Sequence, residues 1–475
     1  MFRRFSAIAV ALSAVSLLVL LPAPADAQGS PSGAWAGAIA IMGQKLEMVV
    51  TFSGEGAGLK ATIDIPQQGA TGLPLTNVKA DGAIVHFELK AGPGMAVFEG
   101  ERKGDAISGT FEQAGMKGTF ELTPKKAEAP EPPPPYGAEE VKIPAGAVSL
   151  AGTLTLPPGA GPHPVVVLLT GSGAQNRDEE IFGMKPFRLI ADHLTRRGIA
   201  VLRCDDRGIG GSTGSMAQAT TADFAEDALA QVLFLRGRAD IDKDRIGLLG
   251  HSEGGLVAPM VASRSKDVAF IVLMSGPAVT GEQILLAQGQ LLAQASGIAP
   301  EQIARNTELQ RKMFSAARTG QGWKEIEEQT YTAAREALEK LPEAQRRGIP
   351  DLDGLARKTA GQQLAAARSP WFKYFIEHDP APALAAVTCP VLAIFGERDL
   401  QVPTGQNRGA MEEIFKKSGN RQVTVHVVPR ANHLYQDSVT GNATEYATLK
   451  KEFVPGFLDV LGNWVSEHTR LKAKR

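Results

Sequence analysis

The sequence predicts an α/β protein: a mostly parallel sheet with helices on both faces, a helical cap, and a small all-β barrel or sandwich ahead of them. Three observations predict it. From Val141 onward, short apolar runs alternate with amphipathic helical stretches. Between 281 and 379 the apolar runs stop and helical patterns alone continue. From Gly33 to Leu122, short alternating segments are punctuated by Gly and Asp.

A chain of 475 residues has room for two or three domains. With 43% hydrophobic and 21% charged residues, it can bury a sizeable core. A formal net charge of −1, without a basic stripe, argues against a nucleic-acid partner.

Residues 1–27 read as a secretory signal peptide. Phe2-Arg3-Arg4 supplies the positive start, Ala7 to Leu21 the apolar core, and Ala25-Asp26-Ala27 a small-x-small cleavage site. An uncleaved anchor is the alternative, but the run is short for a bilayer. The mature chain is therefore expected to begin at Gln28 and to be periplasmic or secreted, with no integral membrane span. Cys204 and Cys389 should lie at opposite ends of two strands, as buried thiols rather than a disulfide.

Residues 28–123 form the expected β-rich domain. Leu46 to Phe52 and Ile84 to Leu89 alternate as strands do, and 98–100 and 107–111 continue the series. Pro130 and Pro132 to Pro135 make 124–138 a stiff extended linker. The α/β domain spans 139–475. Its strands are expected at 148–156, 165–169, 199–203, 246–249, 270–274, 391–395 and 423–428, with a helix over 221–236. The insert at about 281–379 should carry helices over 283–294, 300–315, 323–341 and 352–367. Placed between two late strands, it is expected to cover the C-terminal strand edge, where open α/β sheets bind ligands.

Gly250-His251-Ser252-Glu253-Gly254 follows the apolar run 246–249 and precedes a helix start. A serine between glycines at a strand-to-helix turn is the nucleophile-elbow pattern. The turn demands small neighbours and lifts the hydroxyl above the sheet. A serine hydroxyl needs a base within reach, and the base needs an orienting acid. Asp399, just past the strand at 391–395, and His433, just past the last strand, supply both at the same sheet edge. Glu397 is the alternative acid and His426 the alternative base. His251 is expected to point elsewhere, and His163, His193, His378 and His468 to be solvent or packing residues. An oxyanion needs two N–H donors. Glu253 can give one; Ser172, in the glycine-rich loop 170–173, can give the other. That loop lacks the Lys-Ser/Thr ending of a phosphate loop. Asp205-Asp206-Arg207 and Arg177 to Glu180 read as loops that brace the site, with Arg207 pairing one of the two aspartates.

Gly171-Ser172-Gly173-Ala174-Gln175-Asn176-Arg177-Asp178-Glu179, Asp205-Asp206-Arg207-Gly208, Gly250 to Gly255 and Asn432-His433 occur in an order that resembles bacterial exported α/β-hydrolases of the esterase and serine-aminopeptidase-like group. The resemblance covers Glu139 to the C-terminus strongly and the β-rich module loosely. Ala174 and Asn176 stand where relatives often carry Pro and Asp. The resemblance implies the α/β-hydrolase fold and a triad of Ser252, Asp399 and His433.

The resulting expectation is a serine hydrolase that cleaves small-molecule carboxylic esters through an acyl-enzyme, with no metal or organic cofactor. A serine peptidase or thioesterase is the alternative, and a non-catalytic binding protein the remote one.

Overall fold

The computed structural model describes residues 30–470, apart from 42–43, 66–69, 92–93, 114–115, 126–132, 342, 344–345, 347–348 and 350. The signal-peptide reading and residues 126–132 of the proline linker lie outside the described residues.

Among the described residues, nine strands fill 33–124. They are β1 (Gly33–Ile41), β2 (Gln44–Ser53), β3 (Lys60–Ile65), β4 (Ala70–Pro74), β5 (Thr76–Asp81), β6 (Ile84–Ala91), β7 (Gly94–Lys103), β8 (Ala106–Gln113) and β9 (Met116–Pro124). Their order is β4-β3-β2-β1-β9-β8-β7-β6-β5, and neighbours run antiparallel. The sheet curls into a nearly closed barrel, and Leu75 N–H, between the two edge strands, donates to the Ala61 carbonyl on β3 at 2.9 Å. Alternation sends one face inward. Phe87, Phe98 and Phe111 occupy directly paired positions on β6, β7 and β8. Phe87 and Phe98 stack with ring centroids 4.6 Å apart, and Phe120 meets Phe98 edge-on at 5.4 Å. Gly100 makes room for that ring, since a Cβ there would meet Phe120 Cζ at 2.8 Å.

The second sheet has eight strands: β10 (Gly137–Ala145), β11 (Val148–Leu156), β12 (His163–Leu169), β13 (Ala200–Cys204), β14 (Ile241–His251), β15 (Phe270–Met274), β16 (Val391–Gly396) and β17 (Val423–Val428). Its order is β10-β11-β13-β12-β14-β15-β16-β17. β10, β11 and β13 pair antiparallel, and β13 through β17 run parallel. Every residue of β13, β15 and β16 is buried. That is why β15 and β16 read as unbroken apolar runs and β13 is interrupted only by the buried Arg203: parallel strands are covered on both faces.

One face is covered by α1 (Pro186–Arg196) and the C-terminal helix Phe457–His468, through Phe187, Ile190 and Leu461. The other is covered by α2 (Thr221–Arg236) and α3 (Gly254–Ala262), through Val232, Leu235 and Val261. Thr220 and Asp223 close a capping box at the start of α2. Between β15 and β16 come the cap helices α4 (Gly281–Ala295), α5 (Pro300–Thr319), α6 (Trp323–Glu339), α7 (Leu352–Ala367) and α8 (Pro370–Glu377).

The α/β part begins earlier than expected, because 137–145 forms a hairpin with β11 whose outer strand alternates exposed and buried residues. At the other boundary, β9 carries Pro124 at its end, a position the linker was expected to claim. Both cysteines are free thiols. Cys204 is buried at the end of β13, but Cys389 is half-buried, because it lies in the turn ahead of β16 rather than in the strand.

Phe98 is fully buried against the rings of Phe87, Phe111 and Phe120. Phe98→Ala is expected to destabilise the barrel by about 3–5 kcal/mol, read as a lower denaturant midpoint of its unfolding transition.

Candidate active site

β14 ends at His251 and α3 begins at Gly254, so two residues make the turn. Ser252 sits there with φ +53°, a left-handed conformation that a side chain adopts at a cost of order 1–3 kcal/mol. Its N–H donates to the Met274 carbonyl at 2.9 Å, pinning the turn to β15. The flanking glycines are steric necessities. A Cβ on Gly250 would strike the Gly254 carbonyl, one on Gly254 the Leu169 carbonyl, and one on Gly255 the Gly276 backbone.

Asp399 lies in the turn after β16. Its Oδ1 accepts the N–H groups of Gln401 and Val402 at 2.8 and 2.9 Å. Its Oδ2 is 2.8 Å from His433 Nδ1. Burial works against the carboxylate, but the His433 imidazole and the two amides outweigh it and hold its pKa below the usual range. The His433 loop is tightened by Asn432, whose Oδ1 accepts the N–H groups of Leu434 and Gln436 at 2.9 Å each. With Nδ1 engaged, Nε2 is the ring nitrogen left for chemistry. Glu397 is exposed and accepts the Arg430 N–H at 2.7 Å, so Asp399 is the acid on the imidazole.

Ser252, His433, Ser172 and Glu253 line one cavity of about 380 Å³. Cap residues Ile284, Leu285, Trp371 and Phe375 form its apolar side. Among the described residues, His163, His193, His378, His426 and His468 do not line it. The Gly171 N–H is committed to Glu179 Oε1 at 2.7 Å, so Ser172 carries the next donor along that loop. Glu253 stands at the start of α3, where the first N–H groups lack helical acceptors.

A family model for the alpha/beta hydrolase family matches residues 166–447, more than half of the chain. The chain belongs to the alpha/beta hydrolase family. It is similar to Esterase EstD of Thermotoga maritima, with 29% identity over 391 residues, 82% of this chain and 81% of that protein. It is also similar to an uncharacterized 31.7 kDa protein of Escherichia coli, with 23% identity, 67% of this chain and 96% of that one. Among solved structures, the Pyrococcus furiosus esterase PF2001 aligns with a TM-score of 0.43 and 19% identity, over 73% of this chain and 96% of that one.

In this hydrolase the polar surroundings of Ser252 differ from expectation in two places. Arg207 pairs with neither neighbouring aspartate. It reaches α2, where Asp227 takes its Nε at 2.7 Å and its Nη2 at 2.8 Å. Asp205 instead holds Arg177 through Nη2 at 2.8 Å, and Asp206 accepts from the Thr170 hydroxyl at 2.7 Å. The second difference is His251, which lines the cavity and bonds Glu179 rather than pointing away. Glu179, Trp371, Gln401 and Tyr446 also line the cavity, and none was singled out in sequence as a cavity residue. Of these, Glu179 alone had a signal, in the charged run 177–180.

The Glu253 side chain is buried, and its Oε1 accepts from the Thr221 hydroxyl at 2.6 Å and the Trp371 indole at 2.8 Å. Burial pushes its pKa up, and these donors oppose the rise without cancelling it. A carboxyl whose folded pKa is raised stabilises the fold below its unfolded value and loses that contribution as pH climbs through the folded value. Glu253→Gln keeps an acceptor at Oε1 and cannot ionise. Its stability relative to wild type is expected to improve from pH 4 to pH 9, measured by denaturant melts across that range.

Proposed function

We propose that this chain is an exported carboxylesterase, periplasmic or secreted, in which Ser252 is the nucleophile. The observation that carries the reading is the 2.8 Å contact of His433 Nδ1 with buried Asp399, in a cavity shared with the strained Ser252 turn. His433 Nε2 takes the hydroxyl proton as Ser252 attacks the ester carbonyl. Asp399 holds the tautomer and stabilises the imidazolium. The Ser172 and Glu253 N–H groups receive the tetrahedral oxyanion. His433 then protonates the leaving alcohol, the acyl-enzyme forms, and the same imidazole activates water to release the acid. The N-terminal segment with its small-x-small site supports export.

Esters are favoured over peptides because a substrate ammonium would need a fixed negative partner. The cap acids Glu325 and Glu327 are exposed and paired with Lys312 and Arg368. Glu253 does face the cavity, but its Oε1 is already engaged by Thr221 and Trp371, and burial disfavours its charged form.

Release of p-nitrophenol from short acyl esters, compared with release from aminoacyl anilides, tests the reading. Faster ester turnover is expected, and equal or faster anilide turnover would reverse it towards a peptidase. Ser252→Ala should abolish both turnover and labelling by a fluorophosphonate. Asp399→Asn should lower kcat on the order of 10³–10⁴-fold, with a normal circular dichroism spectrum.

A further inference from the structure

Glu179 and His251 take no chemical step in that reaction. They are nonetheless 1% and 3% exposed, more completely buried than most polar side chains near the cavity. Glu179 adopts φ +51°, so the backbone is bent to deliver its carboxyl inward. Its Oε1 accepts two donors. One is the Gly171 N–H at 2.7 Å, one residue before Ser172. The other is His251 Nδ1, at 2.9 Å. The opposite ring nitrogen, His251 Nε2, lies 2.9 Å from the His433 carbonyl oxygen. A carbonyl oxygen can only accept, so Nε2 carries a proton. The Glu179 carboxylate makes the doubly protonated ring favourable, which lets His251 donate at both ends.

These contacts form one continuous tie: Gly171 N–H, Glu179 carboxylate, His251 ring, His433 carbonyl. It joins the loop after β12 to the loop after β17. Its central residue, His251, is bonded directly to Ser252 in the chain. We propose that Glu179 and His251 are positioning residues that hold the oxyanion-donor loop and the imidazole loop at a fixed separation about Ser252. The proposal rests on the serine-esterase reading above. The need for such a tie is geometric. The three working groups come from the ends of three different strands, and a misplacement of about 1 Å can slow an enzyme by about 100-fold.

The test compares wild type with Glu179→Gln and His251→Gln. Glutamine at 179 still accepts the Gly171 N–H, but it removes the charge that lets His251 donate twice. In both variants kcat on a p-nitrophenyl ester is expected to fall about 10- to 100-fold, with KM within about threefold. Affinity for a trifluoromethyl ketone, which forms a tetrahedral adduct, should fall in parallel with kcat. Affinity for the carboxylic acid product should stay near wild type. The double variant should lose no more than the worse single one, because both break the same tie. Wild-type kcat and ketone affinity in either folded variant would overturn the proposal. So would equal losses of ketone and product affinity accompanied by a lowered melting temperature, which is what a purely architectural pair would give. A wild-type chain that a fluorophosphonate fails to label would remove the esterase reading and this one together. A labelled wild type with unaffected variants removes this one alone.

Discussion

The turn at Ser252 closes because backbone is allowed to touch backbone. Gly250, Gly254 and Gly255 lie where any Cβ would collide with a carbonyl or a neighbouring chain. That contact brings β14, the end of β12 and the segment after β15 together at one sheet edge. It also forces Ser252 into the left-handed region. A sheet with less tightly packed neighbours would let the turn relax and the hydroxyl drift. The surrounding strands supply the restraint, since they are buried on both faces and have little room to shift.

Five carboxyls crowd the space around this turn, and each is answered differently. Asp399 is held ionised by the His433 imidazole and two backbone amides. Asp205 is clamped by Arg177, and Glu179 faces the His251 ring. Asp206 and Glu253 lack a cation, and burial pushes both upward, Asp206 to about 7. Negative charge is thus favoured at Asp399 and Asp205, which have an imidazole or a guanidinium beside them, and disfavoured at Asp206 and Glu253, which have neither. Asp206 takes a hydroxyl and an amide donor on its two oxygens, whereas Glu253 takes its hydroxyl and indole donors on Oε1 alone, leaving the buried Oε2 without a partner. Trp371 belongs to a cap helix, so its bond to Glu253 also joins the cap to the base of the cavity.

The cap helices contribute shape rather than charge to the cavity. Ile284 and Leu285 from α4 and Trp371 and Phe375 from α8 give an apolar wall opposite the polar turn. The salt bridges of α6 and α7 lie on exposed surfaces, where they contribute little stability. The barrel at 33–124 has its own aromatic core and its own sheet.

Local pattern determined much of this protein. Apolar runs marked the parallel strands because burial on both faces leaves few polar positions, Arg203 among them. The spacing of small residues around Ser252 marked a turn that nothing larger can make. The order Ser252, Asp399, His433 and the strand ends that carry them were legible, because each follows an apolar run. The helices over 221–236 and 352–367 were legible to the residue. Edge strand β10 was not, since it alternates and includes proline. Nor were the partners of Arg207, or the tie from Gly171 through Glu179 and His251 to His433. Hydrogen bonds of that kind join residues 72 and 182 positions apart in the chain. No local propensity encodes such a distance, so only the folded sheet, by bringing its strand ends to one edge, decided which buried donor meets which acceptor.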